Sequence, residues 1–143
     1  MKILYCEDYR IFHEIVRNCL TEIPIITEIT EADNGKTALL KLQKETFDLV
    51  ITGLRMPEMN GFELLKEVRQ KWPSLPVLVF SSYDTSLVGK ELMELGAWGY
   101  VSKRNHISEL FEAVKTILDG EKYYSEELKS LMKAPTKLSK KKK

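Results

Sequence analysis

The sequence predicts an α/β domain: a doubly wound, five-stranded parallel sheet with helices on both faces. Three observations predict it. Short apolar runs alternate five times with segments whose apolar residues recur at helical spacing. The runs are continuously apolar, as strands covered on both faces are. At 143 residues the chain is long enough to bury one core of that size. Right-handed crossovers complete the arrangement and put the functional crevice beyond the carboxyl ends of the strands, at the topological switch point.

Ile3-Leu4-Tyr5-Cys6 is the first strand. Asp8 then stands before Ile11, Phe12, Ile15, Val16, Cys19 and Leu20, an apolar stripe for the first helix, and is its N-cap candidate. Pro24 breaks the chain, and residues 25–31 read as the second strand. Asn34-Gly35 marks a turn before the second helix, with Ala38, Leu39, Leu40 and Leu42. Residues 47–52 form the third strand, followed by a loop through Pro57 and Asn60-Gly61. Phe62, Leu64, Leu65 and Val68 give a third helix that ends before Pro73. Residues 77–80 are the fourth strand. Leu87, Val88, Leu92, Met93 and Leu95 give the fourth helix, closed by Gly96. Residues 98–101 are the fifth strand, and a fifth helix from Ile107 to Leu118 is closed by Gly120. Ser125 caps one further short helix, with Glu126 and Glu127 in its first turn and Lys129 and Lys133 towards its end, an order that suits the helix dipole.

The chain therefore divides into a domain over residues 1–122, a short helix over 123–133 and a basic tail over 134–143. Its net charge of +1 conceals an asymmetry. Residues 1–128 carry 15 Lys and Arg against 21 Asp and Glu, whereas residues 129–143 carry seven Lys and no acid. An acidic body with a basic end is not a basic nucleic-acid-binding face. Cys6 and Cys19 both fall on apolar positions and read as buried thiols, not as a disulfide or metal pair. No apolar run approaches a membrane span and the N-terminus is no signal peptide, so a cytoplasmic protein is expected.

The chemistry collects at the strand ends. The first strand ends at Glu7-Asp8, the third at Gly53, the fourth at Ser81-Ser82 and the fifth just before Lys103. Paired carboxylates suit a hard cation such as Mg²⁺, and a hydroxyl with an ammonium suits phosphoryl oxygens. The constellation points to phosphoryl chemistry but lacks a nucleophile.

At this point the sequence resembles the receiver domain of two-component response regulators, the CheY-like family with a flavodoxin-like (βα)5 fold. The matching pieces are ILYCEDYRIF, ADNGKTALLKL, FDLVITGLRMPEMNGFELL, PVLVFSSYD and LGAWGYVSK, in order, between about Lys2 and Tyr124. The resemblance implies that Glu7 and Asp8 bind Mg²⁺, with the backbone carbonyl of Arg55 completing the site. It implies that Ser81 and Lys103 contact the phosphoryl group and that Ser81 and Tyr100 act as the switch pair. It puts Gly53 where the family carries its phospho-accepting aspartate. Glycine cannot attack a phosphohistidine, and metal affinity should be weak or absent with one carboxylate gone. Thr52 should face away from the pocket. Asp48 lies about 16 Å from Gly53 along the strand. Position 53 is open to two readings, a naturally degenerate receiver or a change that silences an ordinary one.

Blander readings exist for the same residues. Ser81 could cap the fourth helix and Tyr100 could be an ordinary packed tyrosine. His13 and His106 lack metal-ligand spacing and read as surface residues, His106 beside the start of the fifth helix. Trp72 and Trp98 read as packing residues. The tail KLSKKKK begins like the opening of a LuxR-type helix-turn-helix output domain and then departs from it, so the expectation is a receiver fragment or a stand-alone receiver. The expected function is non-enzymatic: a regulatory module in phosphorelay signalling, linked to transcription and silenced at position 53. A sensor histidine kinase would be the upstream partner. A homodimer through the fourth helix, fifth strand and fifth helix is expected, with Leu87, Val88, Glu91 and residues 106–112 as candidates, and DNA contact only through an output domain not in this chain. The alternatives are a vestigial dimerisation module and a flavodoxin-like cofactor binder. The loop CEDYR, without a glycine-rich phosphate cradle, argues against the last.

Overall fold

The computed structural model describes residues 1–133. Five strands, β1 (Lys2–Cys6), β2 (Glu28–Ala32), β3 (Leu49–Thr52), β4 (Val77–Ser81) and β5 (Gly99–Ser102), form one parallel sheet in the order β2-β1-β3-β4-β5. Helices α1 (Arg10–Leu20), α2 (Gly35–Lys44), α3 (Gly61–Lys71), α4 (Thr85–Glu94) and α5 (Ile107–Leu118) connect the strands or follow the last of them, and α6 (Glu126–Lys133) ends the described chain. The doubly wound sheet is the one the sequence predicts. Its strand order reverses at β1, so the switch point lies between β1 and β3.

Strand alternation divides the core into two layers. Ile3, Tyr5, Leu49, Ile51, Leu78 and Phe80 pack with the inner faces of α1 and α5. Leu4, Cys6, Val50, Val77 and Val79 pack on the other side with α2, α3, α4 and Leu128 of α6. Strands β1, β3, β4 and β5 are thus buried on both faces, which is why their sequences are almost wholly apolar, whereas the edge strand β2 (EITEA) is only partly buried and is not the continuous apolar run expected. The helix ends follow local chemistry. Asn60 and Glu63 form a reciprocal capping box at α3, and Asn34 accepts from the Thr37 amide at α2. Gly96 and Gly120 close α4 and α5 at φ +105° and +95°, conformations that disfavour any residue with a Cβ.

Several expectations need correction. The N-cap of α1 is Tyr9, without a side-chain cap, and Asp8 stands exposed one residue earlier. Strand β2 starts at Glu28 because Ile26 closes a turn onto Ile23 and Thr27 pairs with Met1. The buried stripe of α1 is His13, Val16 and Leu20; Ile11 and Ile15 are exposed, and Cys19 is only half-buried. His13 is therefore no surface residue. Leu40 and Leu87 also point to solvent. Ser81 does not cap α4, whose N-cap is Asp84. Trp72 and Trp98 pack against the two core layers, as the sequence suggests. The basic tail lies outside the described residues.

Candidate functional site

A cavity of about 520 Å³ opens at the carboxyl ends of β1, β3, β4 and β5. Its lining includes Glu7, Asp8, Gly53, Arg55, Ser81 and Lys103, so the fold brings together every predicted site residue except Tyr100. Tyr9, Ser82, Tyr83 and Arg104 complete much of the wall. Thr52 is not part of it: its hydroxyl donates to the Gly53 carbonyl at 2.9 Å. Asp48 sits at the far end of β3, where it accepts from the Lys2 amide. Tyr100 is buried behind the wall.

The centre of the cavity is an ion pair. Lys103 Nζ lies 2.6 Å from Glu7 Oε1, with the two side chains only 7% and 2% exposed. The ammonium also sits 3.9 Å from the Phe12 ring centroid and 5.7 Å from that of Phe80. Two aromatic faces thus offset part of its lost hydration. Glu7 is held from every side. Its carboxylate accepts from the Tyr9 amide at 3.1 Å and from the Tyr5 hydroxyl at 3.4 Å. Its own amide donates to Ala32 of β2. Its carbonyl accepts from His13 Nε2 at 2.6 Å. The other ring nitrogen, Nδ1, lies 3.4 Å from Glu31 Oε1 without the alignment of a hydrogen bond. Sequence reasoning missed this role for His13. Its spacing of three and seven residues from Val16 and Leu20 was the available signal.

Gly53 faces this pair. A Cβ built there would lie 3.0 Å from Glu7 Oε1. The backbone is pinned on both sides: the Gly53 amide donates to Cys6, and Gly61 packs so tightly on the Gly53 carbonyl that a Cβ at 61 would collide with it. Position 53 therefore aims its missing side chain at the Glu7 carboxylate. At the rim, Arg104 bridges to Asp84 at 3.2 Å, an exposed pair of small energetic weight.

The β4–α4 loop is tied down from β5. The Tyr100 hydroxyl donates to the Ser81 carbonyl at 3.2 Å and closely to the Tyr83 carbonyl. Burial pushes the Tyr100 hydroxyl up to about 12. The Lys103 amide donates to the same Ser81 carbonyl at 2.7 Å.

The donor set does not suit a divalent cation. Such an ion takes several oxygen ligands, usually carboxylates with water. Here Glu7 is committed to Lys103, Gly53 supplies no carboxylate, and Asp8 is left as the free acid of the pocket. Among the described residues, no cluster of three or more His, Cys, Asp and Glu side chains is placed to hold a metal.

A doubly wound sheet thus gathers an acidic pair, a hydroxyl and a lysine at the carboxyl ends of its strands. The profile of the response regulator receiver domain matches residues 3–115, and the chain belongs to that family. It is 35% identical over 121 residues to the chemotaxis protein CheY-3 of Vibrio cholerae, covering 83% of this chain and 92% of that one. It is 28% identical over 123 residues to the transcriptional regulatory protein DegU of Brevibacillus brevis, covering 86% of this chain and 52% of DegU. Among solved structures, a LuxR-family two-component response regulator from Aurantimonas sp. SI85-9A1 superposes with a TM-score of 0.83 at 27% identity, covering 92% and 94% of the two chains. The chain spans about half the length of several of the curated relatives it matches, DegU included.

Proposed function

We propose that this chain is a receiver-type regulatory module that signals without phosphorylation at position 53. The observation that carries this reading is the Glu7–Lys103 pair. The lysine that the family resemblance assigns to phosphoryl oxygens is already neutralised, at 2.6 Å, by the acid that the resemblance assigns to Mg²⁺. Gly53 offers no oxygen to either. The remaining roles stay as proposals in the same frame, Ser81 for the phosphoryl contact and Ser81 with Tyr100 for the switch; the Mg²⁺ role that the resemblance gives Glu7, Asp8 and the Arg55 carbonyl is not carried over, because Glu7 is committed to Lys103.

In this reading the module is not an enzyme, works in the cytoplasm and responds to a partner. The partner is an upstream kinase-type protein or a second copy. Leu87, 68% exposed on α4 beside the exposed Glu91, supports a contact through α4, β5 and α5. Similarity to DegU and to a LuxR-family regulator supports a link to transcription, with DNA contacted through an output domain outside this chain.

The test is intact mass after incubation with Mg²⁺ and a small acyl phosphate, for the chain itself and for Gly53→Asp. The chain should stay unmodified and Gly53→Asp should gain one phosphoryl group once Glu7 shifts to admit the new carboxylate. Phosphorylation of the unaltered chain would overturn the reading. Failure of both would favour the vestigial dimerisation module.

A further inference from the structure

The last described helix is seated on α4 in a way the pocket does not require. Leu128 of α6 is fully buried in the core layer beneath α4, and Leu131 and Met132 pack against the same layer. Opposite Leu128 stands Gly89, in the middle of α4. A Cβ at Gly89 would lie 3.0 Å from Leu128 Cδ1 and 2.9 Å from Thr85 Cγ2, both closer than carbon atoms normally approach. Glycine inside a helix is unfavourable on its own account. Here it lets a second helix come close. The connection that brings α6 there is itself pinned: the Tyr123 amide donates to the Trp98 carbonyl at 2.7 Å, and the Tyr123 hydroxyl to Glu109 at 2.9 Å. Ser125 Oγ then caps α6 by accepting from the Leu128 amide.

Eight residues are too few for a helix that is stable alone in water, so α6 exists because it is docked. We infer that α6 is a latch: α4 presents a helix seat built around Gly89, α6 is its resident occupant, and release of α6 is a conformational switch built into this chain. Two features give the switch consequence. The seat begins at Thr85, the residue after the β4–α4 loop that Tyr100 pins, so pocket and latch share one element. Residues 134–143, five of them lysine, follow α6 in sequence, so undocking frees the attachment point of the basic segment. This inference goes beyond the proposed function and does not depend on position 53.

The experiment is native-state amide hydrogen exchange on the full chain, comparing α6 with β3, in the unaltered protein, Gly89→Ala, Leu128→Ala and the double variant. In the unaltered protein α6 amides should exchange at least about 100-fold faster than β3 amides, the sign of opening without global unfolding. Gly89→Ala should speed α6 exchange by roughly a further 10-fold while β3 changes less. On the Leu128→Ala background, where the seat is no longer filled, Gly89→Ala should have no such effect. The inference is overturned if α6 and β3 exchange at the same rate. It is also overturned if Gly89→Ala leaves α6 exchange unchanged in the full chain.

Discussion

Two glycines, Gly53 in the pocket and Gly89 in α4, lack a side chain for opposite reasons. At Gly53 a Cβ would meet the end of a carboxylate, Glu7 Oε1, at 3.0 Å. One side chain, Glu7, would have to give way there, at the expense of its bonds to Lys103 and Tyr9, so the position could carry a side chain and its emptiness is chemical. At Gly89 a Cβ would meet methyl carbons of Thr85 and Leu128 inside a packed helix contact. There the close atoms belong to two buried side chains that would both have to shift, so the emptiness is structural.

The comparison can be tested from its strongest element downward. Lys103→Met should leave the Glu7 carboxylate buried without its partner and cost about 3–5 kcal/mol. Adding Glu7→Gln should recover most of that in urea denaturation. If Lys103→Met is nearly neutral, the pair does not organise the pocket, and Gly53 faces a site with no internal substitute.

Next comes Tyr100, which ties the pocket loop that leads into the α4 seat. Burial pushes its hydroxyl from the ordinary tyrosine value near 10 up to about 12 in the folded state. A raised folded value means that the folded state keeps a proton the unfolded state loses. Tyr100 therefore contributes stability in full below about pH 10, and loses it as pH rises from about 10 towards 12. Tyr100→Phe should make that alkaline decline shallower by up to about 1.4 kcal/mol per pH unit. An unchanged slope would separate the pocket loop from the energetics of both regions.

The smallest effect is expected at the first glycine itself. Gly53→Ala should change stability by less than about 1 kcal/mol, because relief of backbone entropy offsets the close approach to Glu7. A loss above about 2 kcal/mol on thermal unfolding would show that Gly53 is as tightly enclosed as Gly89.

Much of this was legible in the sequence, and the parts that were not share a cause. Four apolar runs and the helical stripes between them carried the sheet and its layers, because burial on both faces leaves no room for polar alternation; the edge strand β2, only partly buried, was the one whose start was misplaced. Glu7, Ser81 and Lys103 were legible as a group because each stands at a strand end, and parallel topology gathers those ends. His13 was not, since its polar type outweighed its spacing, which puts it on the buried stripe with Val16 and Leu20. Asp8 misled for a related reason: a residue type that caps helices was placed by type, whereas the backbone put Tyr9 at the cap.

The sequence by itself determined the receiver fold, the family and the absence of a nucleophilic side chain at position 53, because these depend on residue type and on order along the chain. Only the tertiary structure decided that Lys103 is paired with Glu7, that His13 holds the Glu7 carbonyl and that Gly89 is the seat of α6. Those partners are separated by 96, six and 39 residues, and their meeting is fixed by packing across the sheet and between helices, which no local pattern records.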